Sequence, residues 1–270
     1  MARLALAIAY DGTRFESYAR QPGHRTVEGE LVSLLRGAGA FQEAKAARFR
    51  SGSRTDAGVS AAWNVVAFDS DIPAGAAVAA TTKAPEGLFL LSATTVPDDF
   101  EPRHARRRLY RYLLTHAWSA NRVRPALDLF RGEHDFTNFR RADADKSPRA
   151  RITRLRYGAR PTPFLEVEAP FFLWQQVRRI VAAIDGLERG ERTLAELRSA
   201  LTEPERRVDL GIAAPEGLLL LRVDYDGVAF PPPKGVALDR LDRELDATRR
   251  RLSLAEAARS GPARRRSWKR

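Results

Sequence analysis

The chain reads as an α+β protein whose two halves each combine strands with helices. Three observations predict it. Large apolar residues at Leu4, Leu6, Ile8 and Tyr10 alternate with Ala5, Ala7 and Ala9, the period of two that a strand shows. Leu173, Val177, Ile180, Val181 and Ile184 recur at helical spacing and give one apolar face. Both patterns occur in both halves, with no repeat of fixed period, which argues against a solenoid.

In order along the chain, the first strand ends at the Asp11-Gly12 turn. A loop punctuated by Gln21-Pro22-Gly23 follows, and Thr26 is placed to cap a helix through Leu31, Leu34 and Leu35. The polar run Ser51 to Gly58 reads as a loop, and Val65, Val66 and Phe68 as a strand. A helix and then a strand over Leu88 to Val96, after the Pro85-Glu86-Gly87 turn, complete the first half. The second half opens with a strand within Arg103 to Thr115, which sets Tyr110, Tyr112 and Leu114 on one face and Leu109, Arg111 and Leu113 on the other. A short strand over Phe164 to Ala169, helices over Phe171 to Leu187 and Leu194 to Leu201, and a strand over Leu218 to Tyr225 follow. The predicted organisation is therefore residues 1–102, residues 103–226, and an appended segment 227–270. That last segment starts with the rigid Phe230-Pro231-Pro232-Pro233, continues with leucines at helical spacing over Leu238 to Ala258, and ends in a basic arm containing Arg264, Arg265, Arg266, Lys269 and Arg270. The arm reads either as an RNA contact or as a solvated end.

Composition narrows the function. Lys and Arg number 46 against 34 Asp and Glu, a net charge of +12. Such an excess attracts polyanions: RNA, DNA or an acidic membrane surface. The absence of cysteine excludes disulfides, cysteine nucleophiles and cysteine-ligated metal centres. His24, His104, His116 and His134 do not pair at i, i+4 spacing, so no metal site is predicted. The N-terminus lacks a long apolar run and no stretch approaches the about 18 residues of a membrane span. The expectation is a cytoplasmic protein.

The segment most able to carry chemistry is Gly52-Ser53-Arg54-Thr55-Asp56-Ala57-Gly58-Val59. Small residues admit a planar substrate close to the backbone. Arg54 is suited to a phosphate or to a base face. Asp56 reads either as a base or nucleophile, or as a turn residue accepting backbone N–H groups.

Arg54-Thr55-Asp56-Ala57-Gly58-Val59 resembles the signature of the tRNA pseudouridine synthase A family. The resemblance runs from about Leu4 to Tyr225 through further blocks in the family's order. They are Ala9-Tyr10-Asp11-Gly12-Thr13-Arg14-Phe15, Arg25-Thr26-Val27-Glu28-Gly29, Arg108-Leu109-Tyr110-Arg111-Tyr112, Gly132-Glu133-His134-Asp135-Phe136, Gln176-Val177-Arg178-Arg179 and Ala214-Pro215-Glu216-Gly217-Leu218. What it implies is an α/β fold of two similar subdomains with largely antiparallel sheets backed by helices and a cleft between them. It also implies a homodimer, tRNA as partner, no cofactor and no metal. The reaction would convert uridine to pseudouridine at positions 38–40 of the anticodon stem-loop, after the nucleotide is flipped out of its stack. By the same resemblance Asp56 is the nucleophile, attacking either C1′ or uracil C6. Tyr110 stacks on the base and assists loss of the C5 proton, and Arg178 pairs with the carboxylate. Arg54 holds the flipped nucleotide, and Leu218 packs at the base pocket. The basic segment Arg103, Arg106, Arg107, Arg108 and Arg111 is read from its charge as supplying phosphate contacts nearby, Arg108 and Arg111 among them. The chain departs from the common pattern at Ser53, at Ser60, at Tyr18-Ala19-Arg20 and at Trp174-Gln175-Gln176, where a histidine-rich stretch is more usual. These departures bear on substrate choice. A non-catalytic tRNA-binding protein on the same scaffold is the competing expectation, against which the joint presence of Asp56, Tyr110 and Arg178 argues.

Overall fold

A computed structural model describes residues 1–143 and 147–233. The helix expected over Leu238 to Ala258 and the terminal basic arm lie outside those residues.

Strand β1 (Ala2–Tyr10) is flanked by antiparallel partners on both sides, β3 (Ser60–Ser70) and β4 (Leu88–Thr95). Its large and small residues serve two different faces. Leu4, Leu6, Ile8 and Tyr10 join the main core beneath helix α1 (Val27–Gly37), whereas Ala7 and Ala9 form a thin second cluster with Phe89 and Leu91. The proline-rich segment lies over that second face. Phe230 meets Trp63 edge-on at 5.6 Å between ring centroids, and Ser92 Oγ donates to the Pro231 carbonyl at 2.6 Å. Helix α1 starts where the sequence predicts: Thr26 is extended and its side chain accepts from Gly29 N. The short strand β2 (Arg50–Ser51) pairs with β3, and helix α2 (Ala74–Ala79) precedes β4.

The second half is built around β5 (Arg107–Leu113), which lies between β9 (Phe164–Ala169) and β10 (Leu218–Asp224), with β8 (Arg154–Gly158) beyond β9. Helix α3 (Ala120–Leu129) packs against both α4 (Gln176–Glu188) and α5 (Leu194–Thr202), and all three contribute buried residues to the main core. The last strand, β10, also pairs in parallel with β3 through Leu219↔Ser60 and Leu220↔Ala61. One sheet in the order β4-β1-β3-β10-β5-β9-β8 therefore runs through both halves, with β2 attached to β3. Every other pairing in it is antiparallel.

Three features depart from the sequence reading. The helix predicted from Phe171 begins at Gln176, because Gln175 adopts a left-handed backbone with φ 64° and breaks the helical path. Helix α3 contains Pro125 and buries only Val123, Ala126 and Leu127, too thin a stripe to stand out. A two-stranded hairpin of β6 (Gly132–Asp135) and β7 (Arg149–Ile152) carries polar residues on its exposed positions. Among the described residues no helix is long and apolar enough to cross a membrane.

Burial raises the phenols of Tyr10, Tyr18, Tyr110 and Tyr225 above their ordinary value of 10.0, with Tyr110 pushed up to about 12. These groups stay neutral in the folded chain while their unfolded counterparts ionise near pH 10. Folding stability should therefore hold up to about pH 10 and fall above it, with a slope approaching about 1.4 kcal/mol per pH unit for each tyrosine. Urea denaturation between pH 8 and 11.5 checks this. A midpoint that stays level to pH 11.5 would contradict it.

Candidate active site

The loop between β2 and β3 is held by groups from both halves. Arg108, on β5, is 6% exposed. Its Nε donates to Ser53 Oγ at 2.9 Å, and its Nη2 donates to the carbonyls of Gly52 at 2.7 Å and Arg103 at 2.9 Å. Its Nη1 donates to the Pro170 carbonyl. Desolvation lowers the Arg108 pKa from its usual value, but an arginine remains charged at neutral pH. The four acceptors offset the cost of burying that charge. From the first half, the fully buried Asn64 donates to the Ser53 carbonyl at 2.8 Å, and the Tyr10 hydroxyl bonds Thr55 Oγ1 at 2.9 Å. Gly12 closes the loop's far end: a Cβ there would lie 2.1 Å from the Val59 carbonyl oxygen, a contact only glycine permits.

Asp56 sits on this loop with both carboxylate oxygens engaged. Oδ2 accepts from Arg178 Nη1 at 2.8 Å, with the two side chains 18% and 11% exposed respectively. Arg178 projects from the first turn of α4, and its Nε donates to the Ala213 carbonyl at 2.8 Å, which fixes the guanidinium plane. Oδ1 accepts from the Trp174 indole N–H at 3.1 Å. Tyr110, 8% exposed on β5, meets Phe172 edge-on at 5.2 Å. Burial raises its phenol to about 12, a rise opposed by the Arg108 charge and reinforced by Asp56, so the hydroxyl stays protonated at neutral pH. Leu218, 6% exposed, opens β10 opposite Tyr112.

The structure thus brings Asp56, Arg178 and Tyr110 together from a loop, a helix and a strand. Arg54, two residues before Asp56 on the same loop, is exposed. The two arginines expected to meet phosphate lie elsewhere in character. Arg108 is turned inward with its guanidinium used on the loop. Arg111, on the opposite face of β5, pairs with Glu166, which also binds Arg156 at 2.8 Å, and lies 4.5 Å over the Phe164 ring. Asn64, Trp174 and Arg141 join the site's surroundings without a role assigned from sequence. Trp174 was visible there only as a departure from the usual pattern. Among the described residues no three His, Asp or Glu side chains form a group able to hold a metal ion.

Arg108→Met would leave the Ser53 hydroxyl and the Gly52 carbonyl without their buried donor. A loss of at least about 2 kcal/mol in folding stability is expected in urea denaturation. Stability equal to wild type would show that the loop is held by other means.

Comparison with known proteins agrees with the family named by the sequence motifs. A family model described as tRNA pseudouridine synthase matches residues 126–226, which include Arg178 and Leu218. The tRNA pseudouridine synthase A of Thermococcus sibiricus is 36% identical over 248 residues, spanning 90% of this chain and 92% of that protein. Those of Pyrococcus abyssi and Pyrococcus horikoshii are 38% and 41% identical, over 90% and 85% of this chain and 92% and 87% of their own lengths. Among solved structures, a pseudouridylate synthase aligns over 89% of this chain and 75% of its own at 10% identity with a TM-score of 0.38, too loose a likeness to bear on the site. With relatives of this identity matched nearly end to end, the chain belongs to the tRNA pseudouridine synthase A family.

Proposed function

We propose that this tRNA pseudouridine synthase, an isomerase, uses Asp56 as its nucleophile on a uridine flipped out of the anticodon stem-loop at positions 38–40. The observation that carries the reading is the 2.8 Å pair between Asp56 Oδ2 and Arg178 Nη1, beside the buried phenol of Tyr110. A carboxylate that can bond covalently and leave again divides a difficult step into easier ones. Attack at C1′ or at uracil C6 leads to the same balance. The N1–C1′ bond breaks, the uracil turns, and a C5–C1′ bond forms. The C5 proton is lost and N1 takes one up, so neither oxidant nor group donor is consumed. Arg178 orients the carboxylate, because its own guanidinium is fixed to Ala213. Tyr110 offers its ring to the base and its protonated hydroxyl to the path of the C5 proton. Leu218 packs at the base pocket, and Arg54, exposed and without an ion-pair partner among the described residues, occupies the space the uridine leaves.

Residues 1–102 and 103–226 act in this reading as the two subdomains of a cleft, with Arg108 as the positioning residue between them. The enzyme works in the cytoplasm as a homodimer that tRNA crosses, and the net charge of +12 supplies the phosphate attraction.

Mapping pseudouridines by carbodiimide adduct formation in unmodified tRNA transcripts tests the target. New adducts are expected at positions 38–40, and adducts confined to other positions would overturn that assignment. Tyr110→Phe keeps the ring and removes the hydroxyl. Its single-turnover rate should fall about 100-fold or more while tRNA affinity stays within a few fold. An unchanged rate would remove the hydroxyl from the mechanism.

A further inference from the structure

Trp174 is held in place by more restraints than an exposed side chain needs. It is 46% exposed, beside Phe171 at the same exposure in the same loop. Its indole N–H donates to Asp56 Oδ1 at 3.1 Å. The Arg141 guanidinium lies 4.1 Å from the ring centroid, and the Arg141 amide donates to the Trp174 carbonyl at 2.8 Å. The turn beneath it is closed by Gln176, whose side chain accepts from Leu173 N at 2.9 Å and whose amide donates to the Leu173 carbonyl at 3.1 Å. Between them Gln175 is held at φ 64°, a conformation that a side chain other than glycine, asparagine or aspartate rarely adopts. Strain of that kind persists where the surroundings over-determine it, and it gathers at ligand-binding sites.

Nothing in folding asks for this arrangement. An indole half open to water buries little apolar surface, and core packing would turn it inward. What the arrangement does provide is a rigid aromatic surface one hydrogen bond away from the proposed nucleophile, with a cation stacked on the ring. That combination recognises unpaired bases, since every base has a π-face and a phosphate to match.

We propose that Trp174 is the stacking platform for the base adjoining the flipped uridine, supported by Arg141 and anchored by its bond to Asp56. Such a platform is indifferent to base identity, so it contributes affinity and register rather than sequence choice. The inference rests on Asp56 marking the site of reaction.

The test compares wild type, Trp174→Ala and Trp174→Phe on an unmodified tRNA transcript by tritium release from [5-³H]uridine. Transcripts with an abasic nucleotide on each side in turn of the mapped pseudouridine complete the set. Release by wild type that is lost in Asp56→Ala establishes the underlying reading, and any other pattern would fail that reading before the Trp174 variants are considered. Given release, Trp174→Ala should raise KM about 10–100-fold with kcat within a few fold. Trp174→Phe, which keeps a ring, should stay near wild type, and one of the abasic transcripts should erase the penalty of Trp174→Ala. An unchanged KM in Trp174→Ala would overturn the proposal. So would a fall in kcat shared equally by both variants, because it would make the indole N–H, rather than the ring, the part that matters. If Trp174→Ala fails to fold, tRNA-induced quenching decides: wild type should show more quenching than Trp174→Phe, and equal quenching would overturn the proposal.

Discussion

One buried guanidinium ties the two halves of this molecule together at the point where chemistry is proposed. Arg108 leaves β5 and spends its donors on Ser53, Gly52, Arg103 and Pro170. A charge buried without partners would be strongly destabilising. The loop carbonyls are thus bound to a fixed position relative to β5. Asp56, three residues after Ser53, inherits that position. A shift of the loop by an ångström away from α4 would break the 2.8 Å hydrogen bond from Arg178, which is anchored separately through Ala213. Positioning errors of that size are known to carry large penalties in rate.

The parallel pairing of β10 with β3 provides the mechanical setting for this clamp. It makes one sheet of strands that belong to different halves of the chain, so β5 and the loop ahead of β3 cannot slide apart without breaking ladder hydrogen bonds. Residues 122 apart in sequence, Asp56 and Arg178, become neighbours through that sheet and the helix beside it. The close approaches at Gly12, against the Asp56 loop, and at Gly217, where a Cβ would lie 2.6 Å from the Tyr112 ring on β5, are open only to glycine.

Much of this was legible in the residues. Alternation gave β1, the threonine before an apolar run gave α1, and three blocks of the family resemblance singled out Asp56, Tyr110 and Arg178, which the fold brings together. The inward direction of Arg108 was also readable. Strand parity sets it on the same face as Tyr110 and Tyr112, and β5 alternates between half-buried and buried residues accordingly. Its basic neighbours hid this, because a run of arginines reads as surface. Charge says nothing of direction, so Arg111, one residue off in parity from the tyrosines, received the same reading as Arg108. Residues 118–160 were illegible for a different reason. Helix α3 carries a proline and a stripe of only Val123, Ala126 and Leu127, and β6 and β7 are four residues each with only Ala150 and Ile152 buried, so their periodic patterns are too short to stand out. Trp174 had no pattern to announce it, since its place is set by a single left-handed residue and by a partner 118 positions away.

The account stands on Asp56 acting through this clamped geometry without help from an added metal or nucleotide. Tritium release from [5-³H]uridine-labelled tRNA, measured for wild type and Asp56→Ala in buffer containing chelator, tests it most directly. Release by wild type alone, with tRNA binding retained in both, is the expected result. Equal release from Asp56→Ala would contradict the assignment of the nucleophile.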